Sequence, residues 1–258
     1  MHCAITAGGR PKPDDPLYAY TQGQAKAFLD MGGRTMLERV IDGLQSSRYI
    51  EDIVVVGLSE AEGKRLQTSR PVAAFLPDQG SLFANALAGV RWVNESRPGS
   101  QQIILSSADI PLISGPIINN FIENCRPFDR VLYYTMVSRE VMEKRFPNSK
   151  RTFVRLKDAE IAGGDIFLAQ TKITETNHDL WKAATNARKH AWQLARIVGF
   201  WTLFKYLTRQ LSLAEIEATG SRMLKAPVKI ILSPHAELGM DADKPHQVDL
   251  LRSQFNAL

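Results

Sequence analysis

The chain of 258 residues is 44% hydrophobic and 23% charged, ordinary for a globular protein and long enough for one large domain, 1–258, with a sizeable core. Its formal net charge of +5 favours anionic partners, and suits nucleotides, phosphorylated metabolites, nucleic acid or an anionic membrane about equally. Two cysteines without a CxxC and five histidines without zinc-ligand spacing exclude a disulfide scaffold and a zinc module, and point to a reduced, cytoplasmic setting. No basic segment and apolar run precede the first strand, so no signal peptide is expected. The longest greasy stretch, Ile197 to Leu207, is far short of the ~20 residues that cross a bilayer.

The first predicted strand, His2–Ala7, runs into Gly8-Gly9-Arg10. Two glycines let backbone N–H groups approach a phosphate without an intervening Cβ, and Arg10 adds a guanidinium fork. A Pro- and Asp-rich stretch leads to Lys26, and a helix is predicted over Thr35–Gln45. The run "IVVVGL" at Ile53–Leu58 is apolar on both faces, as a central strand covered by helices should be. After the strand Ala73–Leu76, Gly80 and Ser81 open a helix over Leu82–Val93, whose N-terminus favours polar or anionic groups.

The strand Gln102–Ser106 ends in "SADIPLI", which puts Asp109 where a hard divalent cation could be held through oxygen. A turn or cap role is the alternative, with Ser114 a rival cap for the helix Pro116–Asn124. After the strand Val131–Val137, the stretch from Arg139 to Lys157 holds seven Lys or Arg against Glu140 and Glu143, which suits an anionic acceptor or a solvated face. Another strand is predicted at Asp165–Ala169.

Residues 175–225 break this rhythm. Trp192, Ala195, Phe200, Phe204, Leu207 and Leu211 recur near helical spacing, and Ser212 with Glu215 forms a capping-box pattern, so the segment reads as a helical insertion. The basic, aromatic surface of 192–211 would suit a membrane face, a dimer interface or a lid; a helical layer packed on the sheet is the favoured reading. After the last strand, Val228–Leu232, comes "GMDADKPHQVDL", where Asp241 and Asp243 alternate and point to opposite sides, so that one can face the crevice beside Asp109.

Short strands alternating with helices predict an α/β fold: a three-layer, Rossmann-like, mostly parallel sheet with a helical insertion before the last strand. Ligands in such sheets sit beyond the carboxyl ends of the strands.

"TAGGR", "KAFLDMGGRTMLERVID", "SADIPLI" and "GMDADKPHQVDL", in that order at consecutive junctions, resemble the MobA-like nucleotidyltransferases. That superfamily includes molybdenum-cofactor guanylyltransferases, sugar-phosphate nucleotidylyltransferases and the cytidylyltransferase of isoprenoid synthesis. The resemblance covers residues 1 to about 170 and 227–258. It implies a nucleotide loop at Ala7, Gly8, Gly9 and Arg10, and a phosphate-contacting lysine at Lys26, seven residues before Gly33. It further implies a loop near the base at Gly80 and Ser81, metal ligands at Asp109 and Asp243, and an acceptor-contacting strand at Gly164 and Asp165, where Asn is frequent in the family. Lys26, Arg10 and Asp109 would be the catalytic residues. The implied reaction moves an NMP from an NTP to a phosphorylated small-molecule acceptor with Mg²⁺ or Mn²⁺ and releases pyrophosphate; nucleic acid is not a partner.

The chain departs from the pattern in its first loop. A second glycine after Arg10 is missing, and "PKPDDPLYAYTQGQ" lengthens the loop, which makes Lys12 a rival to Arg10. Two other functions fit some of the residues: a glycosyltransferase using Asp241-Ala242-Asp243 as a metal-holding D-x-D, and a nucleotide-binding regulatory domain without catalysis.

Overall fold

The computed structural model describes residues 1–175 and 200–256. Among the described residues, eight strands form one sheet: β1 (His2–Thr6), β2 (Ile53–Val56), β3 (Ala74–Leu76), β4 (Gln102–Ser107), β5 (Leu132–Ser138), β6 (Val154–Arg155), β7 (Glu160–Gln170) and β8 (Val228–Ser233). Their order is β3-β2-β1-β4-β7-β5-β8, with β6 on β7. All neighbours are parallel except those of β7, which runs antiparallel to β4, β5 and β6. The sheet is therefore mostly parallel, as the sequence leads one to expect.

Alternation along β1 shows how the layers form. Cys3 and Ile5 lie in one core cluster with Leu37, Val40, Ile41 and Leu44 of the helix Met36–Gln45 and with Ile118, Phe121 and Ile122 of the helix Gly115–Asn124. Ala4 faces the other way and packs with Val90 and Val93 of the helix Leu82–Ser96. A strand with a period of two and apolar residues on both faces is covered on both sides. Cys3 and Cys125 are free, buried thiols of this core, and burial alone raises the pKa of each.

Local signals set the helix starts. Thr35 accepts from the Glu38 N–H while Glu38 accepts from the Thr35 N–H, a full capping box, and Ser212 with Glu215 repeats it. Ser81 caps the helix Leu82–Ser96 through the Ala84 N–H. Ser114 stands at the start of Gly115–Asn124 but makes no side-chain cap bond. A helix at Arg139–Arg145, capped by Ser138, lies in what the sequence presents only as a basic stretch. Strand β7 starts five residues before the predicted strand at Asp165, because Glu160–Gly163 pair with β5 and β6.

Of the 175–225 segment, residues 176–199 lie outside the described residues, and with them Trp192, Ala195 and part of the 192–211 surface. The helices Phe200–Leu207 and Leu213–Leu224 precede β8. Within the first of these, Trp201 and Leu207 are exposed by 64% and 70%, so neither side chain is packed on the sheet. No helix of the described residues is long and apolar enough to cross a membrane.

Two loops at the carboxyl edge meet through a glycine. Gly57, which ends β2, has φ +112°, and a Cβ there would lie 2.2 Å from the Gly8 nitrogen. Gly57→Ala is expected to cost about 2–4 kcal/mol, through a disfavoured dihedral and a backbone clash, measured as a lower urea midpoint with unchanged slope.

Candidate active site

A cavity of about 810 Å³ opens at the carboxyl ends of β1 and β4, where fold geometry places ligand sites. The two strand ends are neighbours: the Ala108 N–H donates to the Thr6 carbonyl at 3.1 Å. Ala7, Gly8, Gly9 and Arg10 line it from β1, Asp109 from β4, and Gly80 and Ser81 from the start of the helix Leu82–Ser96. Gly164 and Asp165 of β7, with Tyr134 and Arg151, also line it. Lys12 is exposed and does not line the cavity.

Gly8 sits where no side chain fits. A Cβ there would lie 2.8 Å from Asp78 Oδ1 and 3.0 Å from Asn85 Nδ2. Asn85 is buried and donates to Asp78 Oδ1 at 2.8 Å while accepting from the Gln79 N–H. This small polar network shapes the turn on which Gly8 rests, and its one sequence signal is a polar Asn in an otherwise apolar helical pattern.

Lys26 begins a 3₁₀ turn, Lys26–Phe28, whose first N–H donates to the Gly9 carbonyl at 2.8 Å. The long Pro- and Asp-rich loop therefore returns to the glycine turn that it left. Lys26 Nζ donates to Asp109 Oδ2 at 2.6 Å and to Asp243 Oδ1 at 2.8 Å. The Ala242 N–H donates to the Asp109 carbonyl at 3.1 Å, which ties the C-terminal segment to the β4 end. Residues separated by up to 217 positions thus meet at one atom.

Arg10 points elsewhere. Its guanidinium donates to Glu62 at 2.6 Å, and this bond, aided by the Ser59 backbone, holds the Glu62 carboxyl down at about 2. Asp241 and Asp243 diverge as their alternation predicts: Asp241 pairs with Arg151, Asp243 with Lys26. The two carboxylates of the D-x-D therefore serve two different cations. Arg151 also donates to the Gly163 carbonyl at 3.2 Å. The sequence presents Arg151 only as one of seven cations in a basic stretch, with no periodicity to single it out.

Electrostatics separate Asp109, Asp241 and Asp165. Burial opposes ionisation of Asp109, but the charge and hydrogen bond of Lys26 outweigh it and hold the carboxyl below its ordinary value. Burial likewise opposes the charge of Lys26, and Asp109 and Asp243 reverse that and raise its pKa. Asp241 is pushed up to about 6, first by burial and then by Asp109, with Arg151 pulling the other way. Asp165 is raised well above the ordinary range, chiefly by burial and then by the charges of Asp109 and Asp241, and its Oδ2 has no hydrogen-bond partner.

The raised Asp165 has a stability consequence. The folded state keeps a proton that the unfolded state releases, so stability falls as pH rises from the ordinary carboxylate range toward the folded value. Asn is neutral throughout. Asp165→Asn is expected to stabilise the protein by about 1–3 kcal/mol at pH 8 and hardly at all at pH 4, read from urea midpoints without added divalent cation. A gain that is equal at both pH values would contradict a protonated Asp165.

Two carboxylates that converge on one ammonium, together with a buried Asp109 Oδ1 that has no hydrogen-bond partner, are a hard-oxygen donor set already holding a positive charge. These residues fit a divalent cation of the Mg²⁺ kind. No group of three or more His, Cys, Asp or Glu among the described residues could hold a metal ion, so such a cation would complete its shell with water and phosphate oxygens.

A model of the MobA-like NTP transferase domain matches residues 3–197, about three-quarters of the chain. The chain belongs to this family. Relatives among curated proteins include the molybdenum cofactor guanylyltransferases of Sinorhizobium fredii, 30% identical over 114 residues, and of Rhodopseudomonas palustris, 34% identical over 98 residues. The matched stretches cover 44% and 37% of this chain, and 47% and 44% of those relatives, so the chain spans about half the length of the curated relatives it matches. Among solved structures, a hypothetical transferase from Thermus thermophilus superposes with a TM-score of 0.81 at 28% identity, over 96% of this chain and 98% of the other. A 2-C-methyl-D-erythritol 4-phosphate cytidylyltransferase from the same species shares the fold at 14% identity, with a TM-score of 0.53 over 99% of this chain and 98% of that one. In this MobA-like chain, the match through residue 197 takes in the glycine turn, Lys26, Asp109 and β7 but not the segment carrying Asp243.

Proposed function

We propose that the protein transfers a nucleoside monophosphate from a nucleoside triphosphate to a phosphorylated small molecule and releases pyrophosphate. The observation that carries this reading is the convergence of Lys26, Asp109 and Asp243 beside the Gly8–Gly9 turn in the large cavity. An acceptor phosphate oxygen attacks the α-phosphorus; the new P–O bond forms as the bond to pyrophosphate breaks. A phosphate monoester, with a second pKa near ~6, is largely dianionic at neutral pH and needs no general base. The chain contributes positioning and charge neutralisation.

In this reading Gly8 and Gly9 offer backbone N–H groups to the phosphates, and Lys26 neutralises charge on the α-phosphate. Arg10, once it leaves Glu62, reaches the β and γ groups. Gly80 and Ser81 lie toward the base, and Gly164 and Asp165 toward the acceptor, next to Arg151. Asp109 and Asp243 would hold Mg²⁺ or Mn²⁺, which when bound neutralises phosphate charge. The whole chain acts as one nucleotidyltransferase unit: β8, which follows the helical insertion, pairs with β5 along the full strand and closes the sheet. The guanylyltransferase names of the relatives make GTP the first nucleotide to try and a cofactor-type phosphate the first acceptor.

A panel of four nucleoside triphosphates with Mg²⁺, read by thermal shift and then by pyrophosphate release against phosphorylated acceptors, tests the reading. At least one triphosphate is expected to raise the melting temperature and to release pyrophosphate in the presence of an acceptor. Tight binding without turnover across the panel would make the protein a regulatory nucleotide binder, and transfer from a nucleotide sugar would make it a glycosyltransferase.

A further inference from the structure

Lys26 stands in the place of a metal ion. Its ammonium lies 2.6 Å from Asp109 and 2.8 Å from Asp243, the two carboxylates that the proposed reaction assigns to a divalent cation, and the inference rests on that assignment. Among the described residues Lys26 is the one ion-pair partner of each, while Arg151 is committed to Asp241. An ammonium and a divalent cation compete for one carboxylate pair, because two positive charges a few ångströms apart repel, most strongly on the buried Asp109 side.

We propose that Lys26 is an exchangeable occupant of the two-aspartate site: in the free protein its ammonium closes the site to divalent metal, and the phosphates of an incoming nucleotide draw the ammonium away and open it.

The surroundings fit such an exchange. The Lys26 backbone is fixed to the Gly9 carbonyl, at the turn where the phosphates would sit. Its flexible four-carbon side chain can therefore pass from Asp109 to the glycine turn by rotamer change alone. The side chain of Asp243 is 60% exposed and that of Asp109 only 13%, so the site is open to solvent on the Asp243 side and closed behind Asp109. The free Asp109 Oδ1 remains as an acceptor once the ammonium has left. Metal and nucleotide then load together: the cation alone meets a filled site, and the triphosphate supplies both the counter-charge that removes Lys26 and further oxygen ligands.

The test is a Mn²⁺ titration of the full-length protein without nucleotide, followed by the electron paramagnetic resonance signal of free Mn²⁺. Lys26→Met is expected to bind Mn²⁺ at least tenfold more tightly than the wild type, and the gain is expected to vanish in Lys26→Met/Asp243→Asn. Lys26→Arg keeps a cation that can grip both carboxylates, and is expected to bind Mn²⁺ more weakly than the wild type; this arm decides the matter should Lys26→Met not fold. In EDTA, inorganic triphosphate is expected to raise the melting temperature of the wild type and not that of Lys26→Met. Equal Mn²⁺ affinities in wild type and Lys26→Met, a gain that survives the loss of Asp243, or Lys26→Arg binding as tightly as the wild type would each overturn the exchange. Failure of pyrophosphate release with these titrations as expected would overturn the reaction and leave the exchange intact.

Discussion

Asp109→Asn is expected to lower pyrophosphate release by at least ~10²-fold with any triphosphate, the scale seen when one preorganised electrostatic group is removed. The physical reason is local. Asp109 is the inner of the two carboxylates, fixed at the end of a buried central strand, and its Oδ1 has no protein partner. An amide of nearly the same shape keeps the packing but withdraws the charge that a cation on the phosphates needs. The chain should remain folded, because Lys26 keeps Asp243 as a partner, and a loss of about 1–3 kcal/mol is the range for a weakened buried hydrogen bond. The pair also gives stability a pH dependence. The folded carboxyl sits below its ordinary value, so this contribution is present above the ordinary carboxylate range and is lost as pH falls through the folded value; it should be absent in Asp109→Asn. Full pyrophosphate release in the variant would remove Asp109 from the reaction.

Lys26→Ala carries the second large effect, a fall in turnover of about 10²–10³-fold. A structural lysine and a phosphate lysine make different predictions. In the first case activity and melting temperature fall together, since deletion leaves Asp109 buried without a counter-charge. In the second, turnover falls by far more than the loss of folded protein explains, and added divalent cation restores stability without restoring turnover. The comparison needs kcat, KM for the triphosphate and unfolding midpoints with and without Mg²⁺. Loss of stability and activity in equal measure would leave Lys26 as a counter-ion only.

Much of the fold was legible because its strands are short, apolar on both faces and separated by capped helices. Cys3, Ala4 and Ile5 alternate between two helical layers, and that arrangement follows from periodicity alone. The reversal of β7 was not legible, since strand direction is set by which neighbours it pairs with and not by its own composition. The helix Arg139–Arg145 was hidden by its charge, which obscures an apolar stripe only one turn long.

At the candidate site, the ends of the predicted strands singled out Gly8, Gly9 and Asp109, while Lys26 came from the family resemblance, which sets a lysine seven residues before Gly33. The sequence did not indicate that Lys26 would face the carboxylates rather than open space, because a pairing across 217 positions depends on how the C-terminal segment docks against β4. Nor did it separate Arg10 from a surface ion pair; adjacency to the glycines brought it to the cavity rim, and Glu62 of the short helix Glu60–Gly63, capped by Ser59, holds its guanidinium there. Arg151 had no pattern to mark it, and Asn85 only its polarity in an apolar helical pattern, since each acts through a tertiary contact: Arg151 on Asp241, Asn85 on the Asp78 turn beneath Gly8.

The most direct measurement follows the label of an α-³²P nucleoside triphosphate in the presence of Mg²⁺ and a phosphorylated acceptor, with pyrophosphate quantified in the same reaction. The account predicts that the label moves to the acceptor in a one-to-one ratio with pyrophosphate formed, and that Asp109→Asn suppresses both. Label that remains in the triphosphate with every acceptor, or that leaves as free nucleoside monophosphate without pyrophosphate, would contradict it.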